Sequence, residues 1–235
     1  MSEVVKVEEH GEWKDVYVVE LEDGSLRIAT RNMVPGRRVY GERLFKFEGV
    51  EYREWNPYRS KLGGALLKGL VELPVRENDR ILYLGIGSGT TASHISDIVG
   101  PKGSIYGVEI APRVMRDLLT VVRDRRNIYP ILGDARFPEK YRHLVEAVNG
   151  MYVDVAQPEQ AAIVVRNASL FLDRGGYLLL AVKARSIDVT LEPSEVYRRE
   201  IETLKAGGFT IMDVVHLDPF DRDHAMIYAR YEKGL

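Results

Sequence analysis

The stretch Arg80-Ile-Leu-Tyr-Leu-Gly-Ile-Gly-Ser-Gly-Thr-Thr-Ala-Ser-His94 decides the fold of this chain. Four consecutive apolar residues, Ile81 to Leu84, describe a strand buried on both faces. Gly85, Gly87 and Gly89 then let the backbone turn tightly and admit a ligand close to it. Thr90 to Val99 fits a helix. Strand, glycine turn and helix make the first half of a βαβ unit, and ligands of open α/β sheets bind at the carboxyl ends of such strands. The turn departs from the dinucleotide fingerprint, because its sixth position is Thr90 rather than glycine. Alone, a G-x-G-x-G run also marks an ordinary strand–helix turn.

Toward the C-terminus the alternation repeats. Ser104 to Ile110 is a second strand, Pro112 to Arg123 a helix, and Ile128 to Leu132 a third strand. Met151 to Val155 is a fourth, followed by a helix from Pro158 to Leu172 and a fifth apolar run from Tyr177 to Val182. The helix Glu195 to Lys205 stops at Gly207-Gly208. Phe209 to Leu217 and Ala225 to Tyr231 close the chain as two strands with no room for a helix between them. The expected fold is therefore α/β: a Rossmann-like, doubly wound, seven-stranded sheet with a terminal antiparallel hairpin.

Toward the N-terminus the period changes to that of strands. Val16 to Glu22 and Leu26 to Thr30 flank Asp23-Gly24, a two-residue hairpin signal; Arg43 to Phe47 and Val50 to Trp55 flank Glu48-Gly49. These features predict a small β-rich domain over residues 1–56 and the α/β domain over 57–235. Residues 1–26 hold two basic side chains against eight acids, whereas residues 27–61 hold nine against four. One half of the β-unit should then show a positive face.

Composition excludes several chemistries. Without cysteine there is no thiolate nucleophile, disulfide framework or cysteine-bound metal site. No run approaches the roughly 18 apolar residues of a membrane span. The opening MSEVVKVEEHGEW is neither a signal nor a transit peptide, so a cytoplasmic protein with no membrane partner is expected. With 33 basic and 35 acidic residues, the chain has no bulk charge with which to hold nucleic acid unaided.

Three acids fall at successive strand ends: Glu109, where a carboxylate can accept from ribose hydroxyls; Asp134, beside Ala135, where one can accept from an adenine amino group; and Asp154. An adenosine-containing ligand follows, either S-adenosylmethionine or a nicotinamide dinucleotide. The terminal hairpin favours the methyl donor, since that shape resembles class I methyltransferases. Such an enzyme must make its acceptor nucleophilic. Lys61, Asp154, Lys183 and His224 can converge on the mouth of the sheet, where a carboxylate between two amines orients a hydroxyl and a positioned base removes its proton. Any one strand-end lysine is ordinarily a solvated surface residue; the case rests on the set. His10, His94, His143 and His216 lack metal-ligand spacing, read as ordinary histidines, and no metal is expected. Asn56-Pro57-Tyr58 imitates an amino-methyltransferase motif but precedes the first body strand, so its amide should not reach a base at the methyl group.

Five segments then carry a resemblance: Trp55-Asn-Pro-Tyr-Arg-Ser-Lys-Leu62, Tyr83 to Thr91, Gly133-Asp-Ala135, Tyr152-Val-Asp-Val-Ala-Gln-Pro158 and Val182-Lys-Ala-Arg-Ser186. In order and across nearly the whole chain, they resemble fibrillarin, the RNA 2′-O-methyltransferase of box C/D ribonucleoproteins, in its shorter archaeal form. The resemblance implies S-adenosyl-L-methionine as cofactor, lined by Thr90, Thr91, Glu109, Ile110, Asp134, Ala135, Asp154, Val155, Ala156 and Gln157 beside the glycine turn. It implies Lys61, Asp154, Lys183 and His224 as the catalytic set, with Lys183 the preferred base. The implied partners are a Nop-domain scaffold protein, a kink-turn-binding ribosomal-type protein, a box C/D guide RNA, and rRNA and tRNA substrates. The family usually has an aromatic residue where Ile110 stands. A non-catalytic scaffold subunit or a small-molecule O-methyltransferase is the alternative.

Overall fold

The computed structural model describes residues 3–188 and 190–233. An antiparallel five-stranded sheet comes first: β1 (Val4–Glu9), β2 (Val16–Leu21), β3 (Leu26–Arg31), β4 (Leu44–Phe47) and β5 (Val50–Glu54), in the order β1-β2-β3-β5-β4. Glu48 and Gly49 close the β4–β5 hairpin with φ of +47° and +79°, the mirror-image turn that matches strand twist. The β2–β3 turn differs from the two-residue expectation. The amide of Leu21 donates to the Ser25 carbonyl, enclosing the three residues Glu22 to Gly24, with Gly24 left-handed at φ +76°. A glycine after a tight turn adds the third residue without steric cost.

The second sheet follows α1 (Lys61–Leu67) and contains β6 (Arg80–Leu84), β7 (Ser104–Glu109), β8 (Ile128–Leu132), β9 (Val148–Val153), β10 (Leu172–Lys183), β11 (Phe209–His216) and β12 (His224–Tyr231). Between these run α2 (Thr90–Val99), α3 (Pro112–Val122), α4 (Gln160–Phe171), α5 (Ala184–Ile187) and α6 (Pro193–Gly207). The order is β11-β12-β10-β9-β6-β7-β8, parallel from β8 to β10, with β12 antiparallel to both of its neighbours. Alternate residues feed two cores. Ile81, Tyr83 and Tyr152 pack with α1 and α2 on one face; Leu82, Leu84 and Val153 pack with α4 and α6 on the other. β6 pairs with β7 on one side and β9 on the other, so the strand order reverses beside the glycine turn and opens the crevice there.

Several boundaries move. β9 starts at Val148 and α4 at Gln160, leaving Asp154 to Glu159 as a loop over the sheet edge. β10 starts at Leu172, with its register broken before Tyr177. Lys61 is the first residue of α1, a helix capped by Ser60 that runs through Gly63-Gly64. Both glycines are there for packing: a Cβ on Gly63 would stand 2.8 Å from the Trp55 ring, and one on Gly64 would stand 3.3 Å from Phe220 Cβ.

The two sheets meet through a buried polar joint. Arg53, fully buried on β5, bonds Glu42 at 2.7 Å and Asp97 of α2 at 2.8 Å; Arg125 reaches the other Asp97 oxygen at 2.6 Å. His94 stacks on Trp55 at 4.8 Å and lies between the Thr30 and Tyr40 hydroxyls, each at 2.8 Å. The Thr30 hydroxyl gives its hydrogen to Asp97, so His94 Nδ1 donates to Thr30, and the Tyr40 hydroxyl lies between His94 Nε2 and the Glu54 carbonyl at 2.9 Å. The expected positive face is correspondingly smaller. Arg53 is internal, and Arg27, Arg37 and Lys61 are paired with Glu54, Asp124 and Asp154.

Candidate active site

The glycine turn leaves β6 under tight control. The amides of Gly85 and Ile86 both donate to the Val108 carbonyl, at 2.9 and 3.2 Å. Gly85 adopts φ +75°, and a Cβ there would collide with the backbone of Asp154. Only glycine allows this approach of the two strand ends. Glu109, at the end of β7, accepts from the Gly87 amide at 3.1 Å and the Ala111 amide at 2.8 Å. Each carboxylate oxygen keeps further acceptor capacity for a ribose diol.

Gly89 caps α2 with φ +93° and offers no side-chain bond, and the first turn holds no acid. The amides at Thr90 and Thr91 are therefore open to an anionic group such as an amino-acid carboxylate. At the far end of the crevice, Ile110 is 53% exposed and Ala135 partly buried, together an apolar edge for a flat base. Asp134 is bonded by Arg136 at 2.6 and 3.0 Å, and this side-chain bond holds its carboxyl below the usual range. The site thus offers an acid for a ribose, an apolar edge with an acid for adenine, and free amides for a carboxylate. These groups fit S-adenosylmethionine. Ala156 and Gln157 follow Val155 on the loop after β9. Gln160, fully buried, bonds the Val155 carbonyl through Nε2 and accepts the Lys183 amide at 3.2 Å, so one amide side chain joins that loop to the end of β10.

At the mouth, Lys61 Nζ donates to both Asp154 oxygens, at 2.7 and 3.0 Å. Asp154 is held by its amide bond to the Leu84 carbonyl at 2.9 Å. Asp221 stands 3.9 Å from Lys61 Nζ and 3.0 Å from His224 Nδ1. That nitrogen also lies 2.7 Å from the Arg222 carbonyl, which can only accept, so Nδ1 carries a hydrogen and Nε2 is the free acceptor of the neutral ring. Lys183 lies directly across from His224 in the β10–β12 register and is exposed. No ion pair ties Lys183 to another described residue. The structure thus links Lys61, Asp154 and His224 by contacts and brings Lys183 alongside by register.

The residue that sequence reasoning missed is Asp221, the bridge between Lys61 and His224. Its signal was the charge density of Asp218 to Asp223, high for a hairpin connection. Ser60 was missed too. Its Oγ accepts from Trp55 Nε1 at 2.8 Å, caps α1 at the Gly63 amide at 3.3 Å, and lies 2.9 Å from Thr91 Oγ1. Behind it, Tyr152 is buried and its ring meets Tyr83 at 4.6 Å. Burial pushes both phenols well above their usual range, so they stay neutral. The Asn56 side chain accepts from the Tyr58 amide at 2.9 Å, whereas Pro57 and Tyr58 do line the recess of about 240 Å³ beside Lys61 and Asp154. Among the described residues no group of three or more His, Asp and Glu could hold a metal, and no helix is long and apolar enough to cross a membrane.

Comparison with known proteins agrees with this geometry. The family model described as Fibrillarin matches residues 7–233. A fibrillarin-like rRNA/tRNA 2′-O-methyltransferase of Aeropyrum pernix is 80% identical over 229 residues, covering 97% of this chain and 98% of the relative. The crystal structure of Aeropyrum pernix fibrillarin with natively bound S-adenosyl-L-methionine superposes with a TM-score of 0.92 at 79% identity, covering 97% of this chain and all of that one. A fibrillarin in complex with Nop5p superposes with a TM-score of 0.84 at 42% identity, covering 96% of this chain and 100% of that chain.

Proposed function

The chain belongs to the fibrillarin family, and on that premise we propose that it methylates ribose 2′-hydroxyls of rRNA and tRNA as the catalytic subunit of a box C/D ribonucleoprotein. The observation that carries this is the Lys61–Asp154 pair at 2.7 Å beside the glycine turn, with His224 and Lys183 across the same mouth. S-Adenosyl-L-methionine is the cofactor, and when bound it supplies an electrophilic methyl group on a sulfonium. Glu109 would hold its ribose, Ile110, Asp134 and Ala135 its adenine, and the turn from Gly85 to Thr91 its amino-acid end. Val155 to Gln157 would close the remaining side.

The chain's own residues then position and deprotonate the acceptor. Asp154, fixed by Lys61, faces the incoming ribose and orients its hydroxyl so that an oxygen lone pair lies in line for attack and the hydroxyl hydrogen is left to the base. Lys183, with no competing ion pair among the described residues, is the preferred base. His224 and Asp221 set the other wall of the mouth. The mechanism is orientation and charge, with no covalent enzyme intermediate.

A Nop-domain protein is the partner, as Nop5p is in the solved relative. A kink-turn-binding protein and a guide RNA complete the particle, in the cytoplasm. Residues 1–56 form one domain and 57–235 the other. Reconstitution with these partners and a guide, followed by mapping of 2′-O-methyl sites, tests the activity. Lys183→Ala and Asp154→Ala should each slow single-turnover methylation by about a hundredfold or more; wild-type rates in both would refute the mechanism.

A further inference from the structure

Three arginines stand two residues from members of the catalytic set: Arg59 before Lys61, Arg185 after Lys183 and Arg222 before His224. All three are exposed. Arg59 lines the recess that contains Lys61 and Asp154, and its guanidinium lies over the Tyr40 ring at 5.8 Å. Arg222 follows Asp221, which faces both Lys61 and His224, and its carbonyl takes the His224 Nδ1 bond. Among the described residues neither Arg59 nor Arg222 forms an ion pair. Arg185 is different: it bonds Asp223 at 3.1 Å, and the Ala184 amide donates to the Asp223 carbonyl at 3.0 Å. That pair pins the loop carrying Arg222 against the end of β10.

The mouth therefore has a hydroxyl-orienting floor lined on one side by Arg59, with Arg222 next in sequence to Asp221 on the loop that forms the other side. A ribose inside an RNA strand has the matching form, one hydroxyl flanked by two phosphodiesters. Phosphate contacts set the register of a nucleic acid on a protein, and arginine suits them by its forked donors. We propose that Arg59 and Arg222 are the two jaws of a phosphodiester clamp that centres the target ribose on Asp154, with Arg185 holding the Arg222 jaw in place. This rests on the RNA methyltransferase function above and assigns the residues that seat its substrate. It also explains how a chain with a formal charge of −2 can hold RNA locally.

Two measurements test the clamp. In the first, the assembled particle, whose other subunits supply the bulk affinity, binds its target RNA over a range of salt concentrations. Each of Arg59→Gln and Arg222→Gln should lower the slope of log affinity against log salt by about 0.7, and Arg59→Lys should restore it. Unchanged slopes overturn the clamp, whatever the catalytic result. In the second, the assembled particle methylates targets carrying a neutral methylphosphonate on one side of the target ribose. Each glutamine variant should raise KM about tenfold on ordinary RNA and have little effect where its own phosphate is already neutral. Equal losses on charged and neutral targets also overturn the clamp and indicate a protein-docking role. Absence of any methylation by the wild-type particle would instead overturn the function, leaving the salt slopes to decide the clamp.

Discussion

Ser60 shows how one small side chain fixes several groups at the mouth. Its oxygen caps α1, receives the Trp55 indole hydrogen and meets the Thr91 hydroxyl, so Lys61 in the next position is tied to the start of α2. Ser60→Ala removes a cap worth about 0.5–2 kcal/mol and leaves a buried indole N–H unsatisfied. We expect urea unfolding to register about 2 kcal/mol of lost stability, with Ser60→Thr close to wild type. Gly85 acts through backbone alone. Its φ of +75° and the adjacent Asp154 backbone leave no space for a Cβ. Gly85→Ala should weaken S-adenosylmethionine binding by more than tenfold in calorimetry and destabilise the fold by at least about 1 kcal/mol. The glycine was legible as a turn residue; its approach to Asp154 was not, because the two lie on strands distant in sequence.

At the scale of elements, the joint between the sheets sets a buried ionic cluster beside the apolar packing of Trp13, Ile28 and Trp55. Arg53 and Arg125 share Asp97, and Glu42 and Ser93 take the remaining Arg53 donors. Burial pushes the Glu42 carboxyl up, but Arg53 and the amides of Val39 and Tyr40 outweigh it, and the net direction is down. Removing one partner strands buried charge. Arg53→Met should therefore cost about 3–5 kcal/mol, measured by denaturant unfolding. Since α2 carries both Asp97 and the amides proposed to hold the cofactor, the same variant should also loosen cofactor binding. Helix α2 itself was legible to the residue, from Thr90 to Val99, because period and glycine caps agree there. Helix α1 was hidden, because its paired glycines oppose helix propensity and are explained only by Trp55 and Phe220 packing against them.

For the whole molecule, pH acts through His94. Burial first, then Arg53 and Arg125, hold its pKa well below the usual 6.5. Below that value the unfolded chain binds a proton that the folded chain refuses, so stability is lost as pH falls. The slope approaches about 1.4 kcal/mol per pH unit from this one group. The Glu200 carboxyl, raised by burial, opposes this: its contribution is present below its ordinary pKa and lost as pH rises. Comparing urea midpoints from pH 7 to 5 for wild type and His94→Gln separates the two, and the variant should show the flatter profile. The sequence by itself determined the α/β class, the strand order in time, the terminal hairpin and the identity of the chemical groups at the strand ends. Those follow from local periodicity, from turn chemistry and from motif segments that each lie within a few residues. Only the tertiary structure decided that Asp221 joins Lys61 to His224, that Ser60 locks α1 to α2, and that Arg53 is a buried strut rather than part of a positive surface. Such facts depend on contacts between residues tens of positions apart, and no local pattern encodes which distant carboxylate a lysine or an arginine will meet.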